Sequence, residues 1–132
     1  MQEMKRASGS FEVSMKPEIE QKWGELTSGR YTFAKTFSGD LEAASTVEML
    51  TVGAVAEAGA YVAMERIEGT LAGVSGAFFV THRGFRSADS QSLELIVVPG
   101  CGSGGLEGIT GTMTIRVEGK QHFYDFDYDL KT

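Results

Sequence analysis

Three ionisable residues stand in runs where every second residue is otherwise apolar. Glu48 alternates in step with Leu50 and Val52, Glu65 with Tyr61 and Ile67, and His82 with Phe78 and Val80. If those faces turn inward, two carboxylates and an imidazole meet inside an apolar interior. A lone charge is costly to bury, so such groups must pair or surrender their charge. A paired cluster of this kind has shifted pKa values and is suited to acid-base work. Glu65 and Arg66 are adjacent, so in a strand only one of them faces inward. The competing reading is that these residues face outward or form structural pairs. With the aromatic residues Tyr31, Phe33, Phe78 and Tyr124, an inward cluster would line a site for a small, largely apolar molecule. The candidate ligand-binding residues are therefore Glu48, Glu65, His82, Tyr31, Phe78 and Tyr124.

Other chemistry-bearing motifs give less. Gly100-Cys101-Gly102-Ser103-Gly104-Gly105 is a literal G-x-G-x-x-G after the apolar run Leu93 to Val98. A dinucleotide site needs a helix there, to present its N-terminus to the pyrophosphate. The residues that follow, Leu106-Glu107-Gly108-Ile109-Thr110-Gly111-Thr112, are glycine-rich and β-branched, which predicts a flexible inter-strand loop instead. Cys101 has no histidine beside it in sequence to draw off its proton, and reads as a bystander. His82 and His122 are far apart, with no H-x-H or H-E-x-x-H spacing. Asp125, Asp127 and Asp129 share one strand face, but ligands ~7 Å apart suit a solvated acidic face better than a cation site. No cofactor and no metal is expected.

The elements that must position these residues read as strands. Phe11, Val13 and Met15 alternate with polar residues, as do Tyr31, Phe33, Lys35 and Phe37. Further strands are expected over roughly 43–56, 60–68, 74–84, 92–98, 109–118 and 121–130. The last carries Tyr124, Phe126, Tyr128 and Leu130 on one face and Phe123, Asp125, Asp127 and Asp129 on the other, the mark of an antiparallel strand with one wet side. Hydrophobe-polar-Gly triplets at Phe37-Ser38-Gly39, Ile67-Glu68-Gly69, Leu106-Glu107-Gly108 and Val117-Glu118-Gly119 mark strand ends or bends. Glycine is 17 of 132 residues, above the usual ~7%, and asparagine is absent, so glycine must supply the turns. The segment Pro17 to Gly24 breaks the pattern and reads either as a short helical turn or as an irregular loop with Trp23 as a lid.

About eight short antiparallel strands in one domain, 1–132 with residues 1–8 frayed, fit a meander closed into a small barrel. A two-sheet sandwich is the alternative. Several middle strands carry apolar residues on both faces, as in Leu93, Leu95 and Val97 against Ile96 and Val98. A lone barrel leaves one such face in water, which predicts a homo-oligomer.

Composition narrows the function classes. Twelve basic residues against 18 acidic ones give a net charge of −6. That argues against nucleic acid or an anionic membrane as partner. With one cysteine, no internal disulfide forms. No apolar run reaches the ~20 residues of a membrane helix, and Met1-Gln2-Glu3-Met4-Lys5-Arg6 does not lead into a signal peptide. The expected location is cytoplasmic.

Several stretches carry a family likeness: Lys35-Thr36-Phe37-Ser38-Gly39-Asp40-Leu41-Glu42, Glu65-Arg66-Ile67-Glu68-Gly69-Thr70-Leu71-Ala72-Gly73, Val97-Val98-Pro99-Gly100 through Gly108, and the closing Asp127-Tyr128-Asp129-Leu130. Together the chain resembles the bacterial domain of unknown function family 3224 over roughly residues 10–130. The resemblance implies an all-β, eight-stranded antiparallel barrel of the allene oxide cyclase-like type, and no activity. Allene oxide cyclases bind an oxygenated fatty acid in the barrel, but none of their active-site residues maps onto a motif here. Two functions stay open. One is binding of a small, largely apolar molecule in the barrel, with isomerase- or cyclase-like chemistry. The alternative is a non-catalytic structural or protein-interaction barrel that forms a homo-oligomer.

Overall fold

Period-two alternation governs the whole chain, because each strand has one face in the interior and one in water. The computed structural model describes residues 4–54 and 58–130. Its strands are β1 (Lys5–Trp23), β2 (Leu26–Gly39), β3 (Leu41–Ala54), β4 (Ala58–Leu71), β5 (Val74–Arg86), β6 (Gln91–Val97), the two-residue β7 (Ser103–Gly104), β8 (Thr110–Glu118) and β9 (Gln121–Asp129). Residues 55–56 of the third expected strand run lie outside the described residues.

Strands β1 to β6, then β8 and β9, pair in sequence order, and β9 pairs back onto β1. All the pairings are antiparallel, so the result is a closed eight-stranded meander barrel and not a sandwich. Closure through Lys5–Phe11 and His122–Tyr128 removes most of the free edge that an open sheet of this size would expose, and leaves β1 unpaired on one side beyond Phe11. β1 is in place from its first residue. Lys5 to Phe11 pair with Tyr128 to His122, and Ala7 is buried, so the expected fraying over residues 1–8 does not hold for residues 5–8.

Pro17 to Trp23 form neither a helical turn nor a loop. β1 runs straight through them, with a register shift between Pro17 and Ile19 that leaves Glu18 as the extra residue. β9 reaches only as far as Phe11, so Pro17 lies on a free edge where its missing N–H costs no ladder bond. The bulge inverts parity. Beyond it Glu20 and Lys22 share the inner face with Tyr31 and Thr27, bonding them at 2.9 and 2.8 Å, while Trp23 turns outward to bond Ser28 at 2.8 Å.

One end of the barrel is filled. Phe78 stacks on Phe126 with ring centroids 5.5 Å apart, and Phe126 stacks on Tyr128 at 5.2 Å. Leu41, Ile67, Leu71 and Phe37 complete this core. The glycine-rich segment after β6 is its plug. Ser103 and Gly104 pair with Ala77 and Gly76, and tight turns at Ser103–Leu106 and Leu106–Ile109 drive Leu106 and Ile109 into the barrel end. The segment expected to be a flexible loop is thus pinned to the core by two buried side chains, and Cys101 stays exposed on it.

Tyr124 joins the core to a turn. It is fully buried, and its hydroxyl accepts the Leu41 N–H at 2.9 Å and donates to the Ser38 carbonyl at 3.0 Å. The turn it holds passes through Gly39 at φ 107°, and a Cβ on Gly39 would lie 2.7 Å from the Ser8 carbonyl oxygen and 3.3 Å from the Tyr124 hydroxyl. Only glycine adopts that backbone at so close an approach. Tyr124→Phe should leave the Leu41 N–H buried without a partner and cost about 1–3 kcal/mol. Urea titration should show a lower midpoint with an unchanged slope, because the surface exposed on unfolding is the same.

Candidate functional site

Above the filled end the interior turns polar. Lys35 on β2, Ser45 on β3, Glu65 on β4 and His82 on β5 come from four consecutive strands and point inward, and all four are buried. Glu65 is at the centre with no solvent exposure. Its Oε1 accepts from Lys35 Nζ at 3.3 Å and from His82 Nε2 at 2.7 Å, and its Oε2 accepts from the Ser45 hydroxyl at 2.6 Å. Burial alone would push the Glu65 carboxyl up. The His82 hydrogen bond, the Lys35 charge and the Ser45 hydroxyl outweigh it and hold the carboxyl below its ordinary value. An ionised carboxylate only accepts, so His82 carries its hydrogen on Nε2. Lys35 is also capped by aromatic faces, its Nζ lying 4.9 Å from the Phe11 centroid and 5.8 Å from that of Phe37.

The opposite end of the barrel is open, because its wall is uneven. β2 to β5 run long, whereas β6 and β8 pair only at Leu95–Met113 and Ile96–Thr112. The next facing pair in that register, Leu93 and Ile115, does not join the ladder. Both residues instead line a cavity of about 700 Å³ in the mouth. Tyr31 and Tyr61 form part of the same wall, with Thr27, Thr51 and Arg86 among its polar groups. Tyr61 lies against Gly84, where a Cβ would come within 2.3 Å of the Tyr61 ring, so the glycine makes the seat for that ring. The Tyr61 and His82 centroids are 6.5 Å apart. Burial, then the Glu65 charge, raises the Tyr61 hydroxyl above its ordinary pKa, so it keeps its proton and acts as a donor.

The six candidates fall into separate places. Glu65 and His82 meet inside the barrel, as the inward reading required, but neither is among the residues lining the mouth cavity. Tyr31 does line it, and its hydroxyl donates to Glu20 at 2.9 Å. Phe78 and Tyr124 are sealed in the filled end, away from that cavity. Glu48 is on the outside, 3.4 Å from Arg30, because Val47 takes the inward position beside it and a strand alternates strictly. Asp125 and Asp127 are engaged on the outer face. Asp127 meets Arg6 at 2.7 and 3.0 Å, and Asp125 accepts from Ser8 at 2.7 Å and Arg116 at 3.2 Å.

Sequence reasoning missed Lys35, Ser45 and Tyr61. Lys35 left a trace, as the one charged residue on the aromatic face Tyr31, Phe33, Phe37. Tyr61 left one too, since alternation puts it on the Glu65 face, although it was not named as a candidate; Ser45 left none, since a serine fits either face of a strand.

A closed β-barrel with a filled end, a buried ion-paired belt and an open mouth is the class that fold and site define. The chain matches the family described as "Protein of unknown function (DUF3224)" over residues 7–128, and it belongs to that family. It is similar to the crystal structure, at 1.84 Å resolution, of a protein of unknown function from the same family in Shewanella oneidensis MR-1. The two share 39% identity and superpose with a TM-score of 0.91, over 98% of this chain and 100% of that one. No curated protein matches the chain.

Glu65→Gln should destabilise the fold by about 3–5 kcal/mol at neutral pH, because it strands the Lys35 charge in the interior. The pH dependence has a definite sign. A carboxyl lowered by folding contributes its full stability above the ordinary carboxylate range and loses it as pH falls through the lowered value. Thermal melts of wild type should therefore fall off in acid more steeply than those of Glu65→Gln. Parallel acid profiles would show that the carboxylate is not ionised in the folded protein.

Proposed function

We propose that this protein binds a small, largely apolar molecule in the mouth of the barrel, through an acceptor oxygen at its polar end. The observation that carries the reading is the mouth cavity of about 700 Å³, a size suited to a small organic ligand, walled by Leu93, Ile115, Tyr31 and Tyr61. The protonated Tyr61 hydroxyl is the group that would meet a carbonyl or ether oxygen. Donation to such an oxygen polarises the neighbouring bonds, the step that isomerase- and cyclase-like reactions share. In this reading the Glu65–His82 pair is a positioning unit behind Tyr61.

Two variants test the reading by nuclear magnetic resonance titration with 2-decanone, an apolar chain with one carbonyl. Wild type should show saturable shifts at the mouth. Tyr61→Phe should weaken binding by roughly 3–10-fold, the worth of one hydrogen bond. Leu93→Trp should fill the cavity and abolish binding while the circular dichroism spectrum stays that of the barrel. Equal shifts in wild type and Leu93→Trp would place binding elsewhere and sink the proposal.

A further inference from the structure

The outer face of the long wall is as regular as the inner one. Register sets Arg30, Leu50, Val62, Arg83 and Glu94 side by side across five strands. The row on one side of it places Glu48 beside Met64, Thr81 and Ile96, and the row on the other places Val52 beside Ala60, Phe85 and Ser92. Leu50, Val52, Val62, Met64, Phe85 and Ile96 each remain between 44% and 57% exposed. They form one continuous apolar patch, and part of it is a shallow groove of about 690 Å³. Monomeric proteins rarely leave a contiguous apolar patch larger than a few hundred Å² in water.

We propose that this face packs against the same face of a second copy of this chain, in a two-fold dimer. Charge distinguishes that occupant from others. The chain carries −6 overall, which sets two copies against each other over most of their surface. Here the charges balance. One flank carries Arg30 and Glu48, 3.4 Å apart, and the other carries the Arg83–Glu94 pair. A two-fold axis lying in the interface along β4 carries one end of the row onto the other, so Arg30 of one copy faces Glu94 of the second. The face is therefore self-complementary about that axis, and it offers no net charge to attract a basic or an acidic partner. Two such sheets pack with their strands roughly 30° apart and about 10 Å between layers. Val62 lies at the centre of the patch, with Leu50 and Arg83 beside it, where a charge would be most costly.

Analytical ultracentrifugation of the full chain tests this. Wild type at micromolar concentration should sediment at twice its 14.2 kDa mass. Val62→Lys and, independently, Ile96→Lys should raise the dimer dissociation constant at least about 100-fold, because each dimer then buries two unpaired ammonium groups. Both substitutions are on the solvent side of the wall, so the far-ultraviolet circular dichroism spectrum and the melting temperature of the isolated chain should be retained. A monomeric wild type would overturn the proposal and leave the face to a different protein. An oligomer that survives both lysines unchanged would overturn it too, by placing the interface elsewhere.

Discussion

The barrel wall is organised around one buried charge. Glu65 has no access to water, so its carboxylate depends on the donors that its neighbours supply, and those donors come from β2, β3 and β5. Each of these strands must hold its register for Lys35, Ser45 and His82 to reach it. A one-residue slip in any of them would turn its donor outward and leave the carboxylate without that partner. The cluster therefore works as a register lock for the long wall. The filled end does the same job apolarly, through the Phe78, Phe126 and Tyr128 stack.

The lock and the mouth divide the labour. Below Glu65 the interior is filled by aromatic packing and by the Leu106 and Ile109 plug. Beyond the cluster the wall is uneven, because β6 and β8 share only two residue pairs and β1 leaves β9 behind after Phe11. The cavity follows from that unevenness. Tyr61 is the link between the two regions. Its ring is seated on Gly84 and lies near His82, and its wall faces the cavity.

Much of this architecture was legible in the residues. Alternation located six of the eight barrel strands to within two or three residues, and it put Glu65 and His82, together with Glu48, in one candidate inward cluster. It failed at Pro17, where a bulge lets an edge strand tolerate proline, a feature that depends on the neighbouring strand stopping at Phe11. It also read the glycine-rich run 100–105 as free, since nothing local announces that Leu106 and Ile109 will enter the barrel end.

By itself the sequence determined most of the strand content, the antiparallel meander, the glycine turns and the constraint that only one residue of each adjacent pair faces inward. Those are local properties, set by the alternation of side chains along a single strand. Which face of β3 turns inward was decided only by closure. Both faces of that strand are apolar enough to bury, and Val47 rather than Glu48 is inside, on the same face as Ser45, whose hydroxyl reaches Glu65. The mouth cavity and the outer patch are likewise tertiary, because each exists only where residues from four or more strands are set side by side by a register that no single strand carries.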